Sequence, residues 1–201
     1  MSGDVHVRFC ESRGVRFPPA THLVVLCPTE ERAVAARDLA QATLATLGLR
    51  LHPDKTRIVC LRQGKEGFDF LGFHHRMRRS WKLPGRHYLN RWPSARAMAS
   101  IRAKVKERTP RGYAGRELRY VVEDLNPVLR GWGAYFRYGN SDRKFAAIDR
   151  YVHERMAKLA SVKHGRRGRT WSTRFTYGWL TDLGIYRLAG TVRYWDAHAL
   201  R

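Results

Sequence analysis

The sequence predicts an α+β protein in which a small strand-and-helix part precedes a mostly α-helical second half. Apolar runs of strand length lie in the first third, at 23–27, 56–61 and 68–73. From Ser94 onward, apolar residues recur at three- and four-residue steps, which is the period of a helix. Of the 201 residues, 43% are hydrophobic and 11% are aromatic, which is enough to build a core. The architecture should change between Leu83 and Ser94.

The chain carries a large positive charge. Lys and Arg number 39 against 17 Asp and Glu, a formal net charge of +22, which predicts a polyanionic partner. Because the basic residues spread through several helical segments and alternate with Trp and Tyr, nucleic acid is favoured over a membrane. Arginine predominates, and its planar guanidinium pairs with phosphate and stacks on bases. Structured RNA is therefore the expected partner.

The cysteines and the apolar runs indicate a cytoplasmic protein without a membrane partner. Cys10, Cys27 and Cys60 are widely separated, so neither a disulfide framework nor a zinc knuckle is indicated. No apolar run approaches the ~20 residues that a membrane helix needs. The first residues also lack the apolar core of a signal peptide.

The first third is predicted to begin irregularly and then to form a strand and a helix. Residues 1–20 show no period, and Gly and Pro interrupt them. The strand Leu23–Cys27 follows, then Thr29 as the N-cap of a helix with two glutamates in its first turn. Gly48 stands where that helix should end. The helical face that should cover the strand comprises Ala36, Leu39, Ala40, Thr43, Leu44 and Leu47.

A hairpin is predicted after this helix. The extended runs Thr56–Leu61 and Phe68–Phe73 are separated by RQGKEG, whose glycines permit a turn. The adjacent His74 and His75 cannot point the same way in a strand, so they are not predicted to bind a metal.

The second half is predicted to be a helical bundle with arginine-rich outer faces. A basic amphipathic helix begins at Ser94, and Pro110–Gly115 breaks it. A helix near Arg116–Leu125 follows, and a new helix then starts with Asn126 as N-cap and Pro127 as its first residue. The apolar stripe of the first of these helices comprises Met98, Ile101 and Val105.

The last long helix is predicted to begin after Ser141. Its apolar stripe comprises Phe145, Ile148, Val152, Met156 and Leu159. A basic loop, Lys163–Trp171, follows, and the tail to Arg201 shows no helical or strand period.

The helix predicted at Pro127–Tyr138 combines an apolar face with two glycines. The face comprises Val128, Trp132, Tyr135 and Phe136, and it is more typical of a core than of a base-stacking platform. Gly131 and Gly133 each weaken a helix by roughly 1 kcal/mol relative to Ala, which indicates close approach of another backbone, from protein or RNA. Close packing of another helix is the interpretation we favour.

Several motifs, taken in order, resemble group II intron-encoded reverse transcriptases, also called maturases. The motifs are LVVLC, LGLRLHPDKTRIV, GFDFLGF, LNPVLRGWGAYFRYGN and FAAIDRYVHERM, and they cover most of 23–156. After a lead-in at 1–20, the resemblance implies the C-terminal remnant of a polymerase palm at 21–88. It further implies thumb-like basic helices at 89–125 and a maturase-specific, RNA-binding domain X at 126–201.

The resemblance also implies that the polymerase metal site is missing. In the family, the strand VVLC follows a Tyr-Ala-Asp-Asp turn whose carboxylates help to hold two metal ions. Ala20, Thr21 and His22 stand in that place here. Because Thr and neutral His offer no negative charge to Mg²⁺, we expect no catalytic residue and no metal site. No cofactor is expected either, Mg²⁺ arriving only with bound RNA. His22, alone at a strand end, is more typical of an ordinary surface residue.

Two further motifs resemble polymerase parts. HPDKT, at 52–56, resembles a palm motif near the incoming nucleotide, and its Lys55, with Arg57 beyond it, could contact phosphate. The family hairpin that supports the primer end is matched by Phe70, Leu71, Gly72 and Phe73. Core packing is the interpretation favoured for Phe68, Phe70 and Leu71.

The candidate RNA-binding residues are basic and most lie in the second half. They are Lys55, Arg57, Arg102, Lys104, Arg130, Arg137, Arg143, Lys144, Arg150, Lys163, Arg166, Arg167 and Arg169. A solvated charged face is the usual explanation for such runs. However, residues 161–201 hold only two acids, Asp182 and Asp196, and unbalanced charge favours a polyanion.

The resemblance implies a maturase fragment that stabilises a folded group II intron for splicing while the RNA supplies the chemistry. DNA synthesis by the chain alone is not expected. Two alternatives stay open. The chain is the C-terminal piece of a split or truncated reverse transcriptase that obtains its aspartates from an upstream fragment, or it is a decaying mobile-element fragment.

Overall fold

The computed structural model describes residues 6–10, 23–53, 56–81, 83–165 and 171–194. The chain divides into two compact units, residues 1–91 and residues 92–201, called unit 1 and unit 2 below. Strands dominate the described part of unit 1 and helices that of unit 2. The predicted α+β class is therefore confirmed.

Unit 1 begins with a three-stranded antiparallel sheet. Strand β1 (His6–Cys10) lies in the middle, between β2 (Leu23–Cys27) and β3 (Arg57–Cys60). Strand β2 was predicted, but the irregular lead-in was wrong because it contains β1. HVRFC alternates polar and apolar residues only briefly, and its pairing partners are distant in the sequence, so the local pattern did not reveal the strand.

Helix α1 (Glu30–Thr46) begins and ends where the sequence predicted. The Thr29 hydroxyl accepts a hydrogen bond from the Arg32 amide at 3.3 Å. Gly48, with a φ of 69°, ends the helix in the left-handed region that glycine adopts without strain.

The predicted face of α1 is only partly the buried one. The helix contacts the first sheet; Ala33 is buried, and Ala36, Ala40 and Leu44 of the predicted face are half-buried. Leu39 and Leu47 were expected on this face but are 70% and 69% exposed.

A second antiparallel sheet contains β4 (Gly67–Phe70), β5 (Phe73–Arg79) and β6 (His87–Pro93), in that order. The predicted hairpin between 56–61 and 68–73 is wrong, because those runs lie in different sheets. The glycine-containing linker instead forms a 3-10 turn at Arg62–Gly64.

The true hairpin joins β4 to β5 through Leu71 and Gly72. Both have positive φ, 46° and 78°, as in the two-residue turns whose twist suits a hairpin. The turn lies inside the apolar run GFDFLGF, which the strand pattern predicted to be one strand. The family resemblance, by contrast, matched Phe70–Phe73 to a hairpin, and the structure has a hairpin there. Of the residues expected in the core, Phe68 is buried, Phe70 is partly buried and Leu71 is 58% exposed.

Unit 2 is built on three long helices, α2 (Ala95–Arg108), α3 (Leu118–Phe136) and α4 (Asp142–Lys163). The predicted apolar stripe of α2 is buried, and so is that of α4. Two short helices that the sequence analysis did not predict follow, α5 (Trp171–Arg174) and α6 (Tyr177–Asp182).

The predicted break before Pro127 is wrong, because α3 runs through this residue as one helix. Proline in a helix interior costs about 3 kcal/mol. A continuous buried stripe on both sides of Pro127 offsets that cost: Leu118, Val121, Val122, Leu125, Leu129, Gly133 and Phe136. The expected face was also displaced, since Tyr135 is 53% exposed.

No helix among the described residues is long and apolar enough to cross a membrane.

Candidate nucleic-acid interface

The predicted RNA-binding residues are mostly exposed where the structure describes them. Arg57 lies on β3 in unit 1. The remaining described candidates belong to unit 2: Arg102, Lys104, Arg130, Arg137, Arg143, Lys144, Arg150 and Lys163. Among these, Arg137 and Lys144 are half-buried and the others are exposed. Six residues discussed from the sequence lie outside the described residues: Thr21, His22, Lys55, Arg166, Arg167 and Arg169.

Arg102 and Lys163 have partners within the protein. The Arg102 guanidinium lies 5.9 Å from the centre of the Tyr151 ring. Lys163 is the last residue of α4 rather than part of a loop, and its ammonium donates to the Arg116 carbonyl at 2.8 Å. Lys163 therefore has a structural contact that the sequence did not predict.

Arg130 of α3 and Arg137, which follows its last residue, lie against tyrosines. The Arg130 guanidinium is 4.8 Å from the ring centre of Tyr186. Arg137 donates to the Tyr138 hydroxyl at 2.9 Å, and its guanidinium lies 4.9 Å from that ring. Aromatic contacts of this kind hold a guanidinium in place without neutralising it.

The outer face of α4 carries Arg143 and Arg150, seven residues apart and therefore on one side of the helix. The next acid along this face is Glu154, which pairs with Lys158. Ala147 separates the two arginines on that face. This surface is therefore positive.

Several acids of unit 2 are occupied by internal partners. Asp124 and Glu107 both lie within ion-pair distance of Arg108. Asp142 accepts a hydrogen bond from the Tyr194 hydroxyl. These carboxylates do not neutralise the arginines of α3 and α4 considered above.

A segment near the C-terminal end, residues 184–189, is held by side chains of two helices and is called the strap below. The Asn126 amide donates to the Gly184 carbonyl at 2.9 Å and accepts from the Tyr186 amide at 2.7 Å. Asn126 was expected as an N-cap, but it lies inside α3 and makes these contacts instead. Asn126 therefore does not cap a helix but holds the strap.

Asp149 of α4 holds the other end of the strap. It is buried, and its two carboxylate oxygens accept hydrogen bonds from the Leu188 amide at 3.0 Å and the Ala189 amide at 2.8 Å. Asp149 lies in the family-like motif FAAIDRYVHERM, but its role was not predicted because its two partners stand 39 and 40 residues later in the chain.

Leu188 of the strap explains one of the two glycines of α3. A Cβ at position 133 would lie 2.6 Å from Leu188 Cδ2, so Gly133 allows close approach of protein, but the neighbour is a side chain of the strap and not the predicted helix. At Gly131, by contrast, a Cβ would meet nothing within 4 Å among the described residues. Close approach of protein therefore explains Gly133 and not Gly131.

A depression lies beside the strap. Its lining comprises Asp149, Val152, Tyr177, Leu180, Thr181, Ile185, Tyr186 and Arg187. The Tyr177 ring stacks on His153, with ring centres 4.1 Å apart and planes 17° from parallel. A hydrogen bond of 2.6 Å joins His153 Nε2 to the Phe175 carbonyl, and because a carbonyl only accepts, Nε2 donates.

Two arginines lie beside residues of this depression or line it. Arg187 is a lining residue, and Arg150 follows the lining residue Asp149 on α4. Burial raises the pKa of the Tyr177 hydroxyl above the usual 10.0, with Asp149 acting in the same direction and both arginines in the opposite one. The hydroxyl is therefore protonated at neutral pH and can donate a hydrogen bond. Arg187 was not among the predicted residues, because the tail showed no period that would place it.

The described residues contain no group of three or more His, Cys, Asp and Glu that could hold a metal ion. The His74 and His75 side chains diverge, as strand alternation predicted. His74 Nδ1 lies 2.6 Å from Asp69, whereas the His75 ring stacks on Phe68 at 4.8 Å.

Residues 98–177 match the family model of the group II intron, maturase-specific domain. The match covers less than half of the chain and lies entirely in unit 2, from α2 to the first residue of α6. The strap lies beyond its end. No curated protein sequence matches the chain. The family resemblance seen in the sequence is confirmed for this segment.

Proposed function

From a helical unit that contains a group II intron maturase-specific segment, we propose that the chain binds a folded group II intron RNA and stabilises its splicing-competent shape. The observation that carries the proposal is the coincidence of the matched segment with helices whose exposed arginines lack neutralising acids. The RNA supplies the chemistry and brings its own Mg²⁺. The protein supplies cations that offset phosphate repulsion in the folded RNA.

The arginines of α3 and α4 are the proposed phosphate contacts. Arg130 is held over a tyrosine, and Arg143 and Arg150 share one helix face. Arg102 and Lys104 of α2 extend the basic surface. Phosphate contacts position an RNA without reading its sequence, so recognition of a folded intron depends on shape and on unpaired nucleotides. The candidates outside the described residues stay predictions for the same role.

A filter-binding titration of the full chain tests the RNA partner. The folded intron should bind more tightly than an equally long random RNA, and both affinities should fall steeply with salt as counterions are released. Arg143→Ala should make the salt dependence shallower, by about 0.7–0.9 in log–log slope, because one phosphate contact is lost. Equal affinity for both RNAs would reduce the chain to a nonspecific basic protein.

A splicing assay tests the consequence of binding. At limiting Mg²⁺, the chain should accelerate splicing of its intron, whereas at saturating Mg²⁺ the acceleration should shrink because the cation already screens the phosphates. Tight binding with no effect on the splicing rate at either concentration would remove the splicing role and leave RNA binding. Deoxynucleotide incorporation by the isolated chain in a primer-extension assay would favour the polymerase alternative.

A further inference from the structure

The depression beside the strap combines features that the family match does not include. Tyr186 and Arg187 lie beyond residue 177, where the matched segment ends. Nevertheless, the strap is fixed to the matched helices by four side-chain hydrogen bonds from Asn126 and Asp149. The position of Arg187 relative to α4 is therefore set by the fold and not by a free tail.

We propose that the surface at the mouth of this depression is a subsite for one unpaired nucleotide of the bound RNA, with the base against Tyr177 and the phosphate beside Arg187, on the side of Arg150. The inference rests on the proposed RNA-binding function and makes it more specific. It gives the strap a role in recognising an unpaired nucleotide, which a surface that only attracts phosphates would not have.

The aromatic side of the depression suits a nucleobase. Tyr177 is 42% exposed, and stacking on the buried His153 fixes its ring plane. Such a fixed ring loses little freedom when a base stacks on it. Base stacking on aromatic side chains is a common source of affinity for single-stranded RNA. The protonated hydroxyl adds a donor for a ribose or phosphate oxygen.

The cationic side suits the phosphate of the same nucleotide. Arg150 comes from α4 and Arg187 from the strap, and both are exposed. Asp149 lies in the lining, but both of its oxygens are occupied by strap amides. A ring with guanidinium groups beside it favours a nucleotide over an isolated phosphate, which would leave the ring unused, and over an uncharged aromatic ligand.

Arginine variants of the full chain test the subsite when their binding to folded intron RNA is compared with their binding to fully paired RNA. The strap is held through main-chain atoms, so Arg187→Ala removes the side chain without removing a strap hydrogen bond. It should weaken binding to the folded intron about tenfold and binding to a fully paired RNA hairpin much less. The matched control is Arg143→Ala, an exposed arginine of α4 outside the lining, which should weaken both RNAs by a similar factor.

Two outcomes of this comparison separate the subsite from the general function. If Arg187→Ala weakens both RNAs by a similar factor, as the control does, the subsite is overturned while RNA binding stands. If the unmodified chain does not distinguish the intron from random RNA, the proposed function itself fails.

Photocrosslinking gives a readout that a merely structural role would not produce. Intron RNA containing 4-thiouridine should crosslink to the peptide that carries Tyr177. Tyr120 is the control, since it is 64% exposed but is followed one turn later by Glu123 and Asp124. Equal crosslinking of both tyrosines, or none at Tyr177, would overturn the proposal.

Ring substitutions complete the test. Tyr177→Phe keeps the stacking surface and should retain most of the intron affinity, whereas Tyr177→Leu should lose about tenfold. Equal loss in both variants would contradict base stacking. Far-UV circular dichroism of each variant shows whether unit 2 is still folded.

Discussion

Asp149, which is buried, and Asn126, which is half-buried, hold the strap against the helices of unit 2. Asp149 and Asn126 use their side chains on the backbone of the strap and not on solvent or on a charged partner. A strap without regular structure has amides that no helix or sheet satisfies, and burial of such groups without a partner is costly. These two side chains therefore satisfy backbone groups of the strap, as hydrogen bonds within a helix satisfy those of α3 and α4.

Asp149→Asn should lower the free energy of unfolding by about 1.5–3 kcal/mol. Asparagine offers one oxygen to two strap amides, and its NH₂ group opposes the second amide. The measurement is urea unfolding of the full chain followed by far-UV circular dichroism. Asp182→Asn, an exposed position on α6, should change the value by less than about 0.5 kcal/mol. An equally small effect at position 149 would show that the strap does not depend on this carboxylate.

His75 should make the stability of unit 1 depend on pH. Burial lowers its pKa below 6.5, and the charges of Arg91 and His74 lower it further, with only Asp69 opposing. The unfolded chain therefore takes up a proton at a higher pH than the folded chain. Stability should be lost as the pH falls through 6.5 toward the lowered folded value.

The matched variant for this effect is His75→Phe, which keeps a flat ring against Phe68. Urea unfolding followed by hydrogen exchange of the β4–β5 peptides, at about pH 7.5 and about pH 5.5, measures the loss on acidification. The loss should be smaller in the variant because the titrating group is gone. An identical loss in both proteins would show that other groups control the pH dependence.

Residues with local roles were predictable, whereas those with distant partners were not. Thr29 and Gly48 act within one turn of their own helix, so their identities were sufficient to place the ends of α1. The roles of Asn126 and Asp149 depend on amides more than 35 residues later in the chain. No local pattern contains that information. Arg187 was not predicted to belong to the interface for the same reason, since its place depends on contacts between segments far apart in the sequence.

Whether a segment forms a helix or a strand was easier to predict than which other segment it pairs with or packs against. The stripes of α2 and α4 repeat over several turns, and burial followed them. The strand pattern misplaced the hairpin because a two-residue turn needs only Leu71 and Gly72, which look like part of an apolar strand, although the family resemblance had matched 70–73 to a hairpin. At Pro127 a helix start was predicted where none exists, because the packing of α3 on both sides of this residue outweighs the preference of proline for the first turn of a helix.

The contact between α3 and the strap makes a matched pair of glycine substitutions informative. Gly131→Ala meets open space in a helix and should raise the free energy of unfolding by about 0.5–1 kcal/mol. Gly133→Ala should lower it by about 1–3 kcal/mol, because the new methyl group meets Leu188, which is fully buried and cannot swing into solvent. Urea unfolding measures both changes. Equal effects would contradict the packing.

A double-mutant cycle tests the same contact directly. Leu188→Ala alone should cost about 2–5 kcal/mol because it leaves a cavity. In Gly133→Ala/Leu188→Ala, the methyl group of the new alanine occupies part of that cavity, so the loss should be less than the sum by about 0.5–3 kcal/mol. Additive losses would mean that the two positions do not share one space.

At the scale of the whole molecule, hydrophobic burial among the described residues is divided unequally between the two units. One core cluster of unit 1 comprises three buried residues, Val59, Leu61 and Phe68. All but one of the largest fully buried side chains belong to unit 2, Leu61 being the exception. The overall class was predictable because hydrophobic period and charge are summed over many residues. The strap and its depression were not, because they arise from contacts between segments far apart in the sequence.

This inequality predicts the order in which the units unfold. Because apolar burial is the main favourable term in folding, the β4–β5 peptides should lose hydrogen-exchange protection at a lower urea concentration than the α3 and α4 peptides. Folded intron RNA at about 100 times its Kd should stabilise unit 2 by about 2.7 kcal/mol and raise its midpoint, if binding requires the folded helices. A single transition shared by both units would contradict the division of the core. An unchanged midpoint for α3 and α4 in saturating RNA would contradict their role as the binding surface.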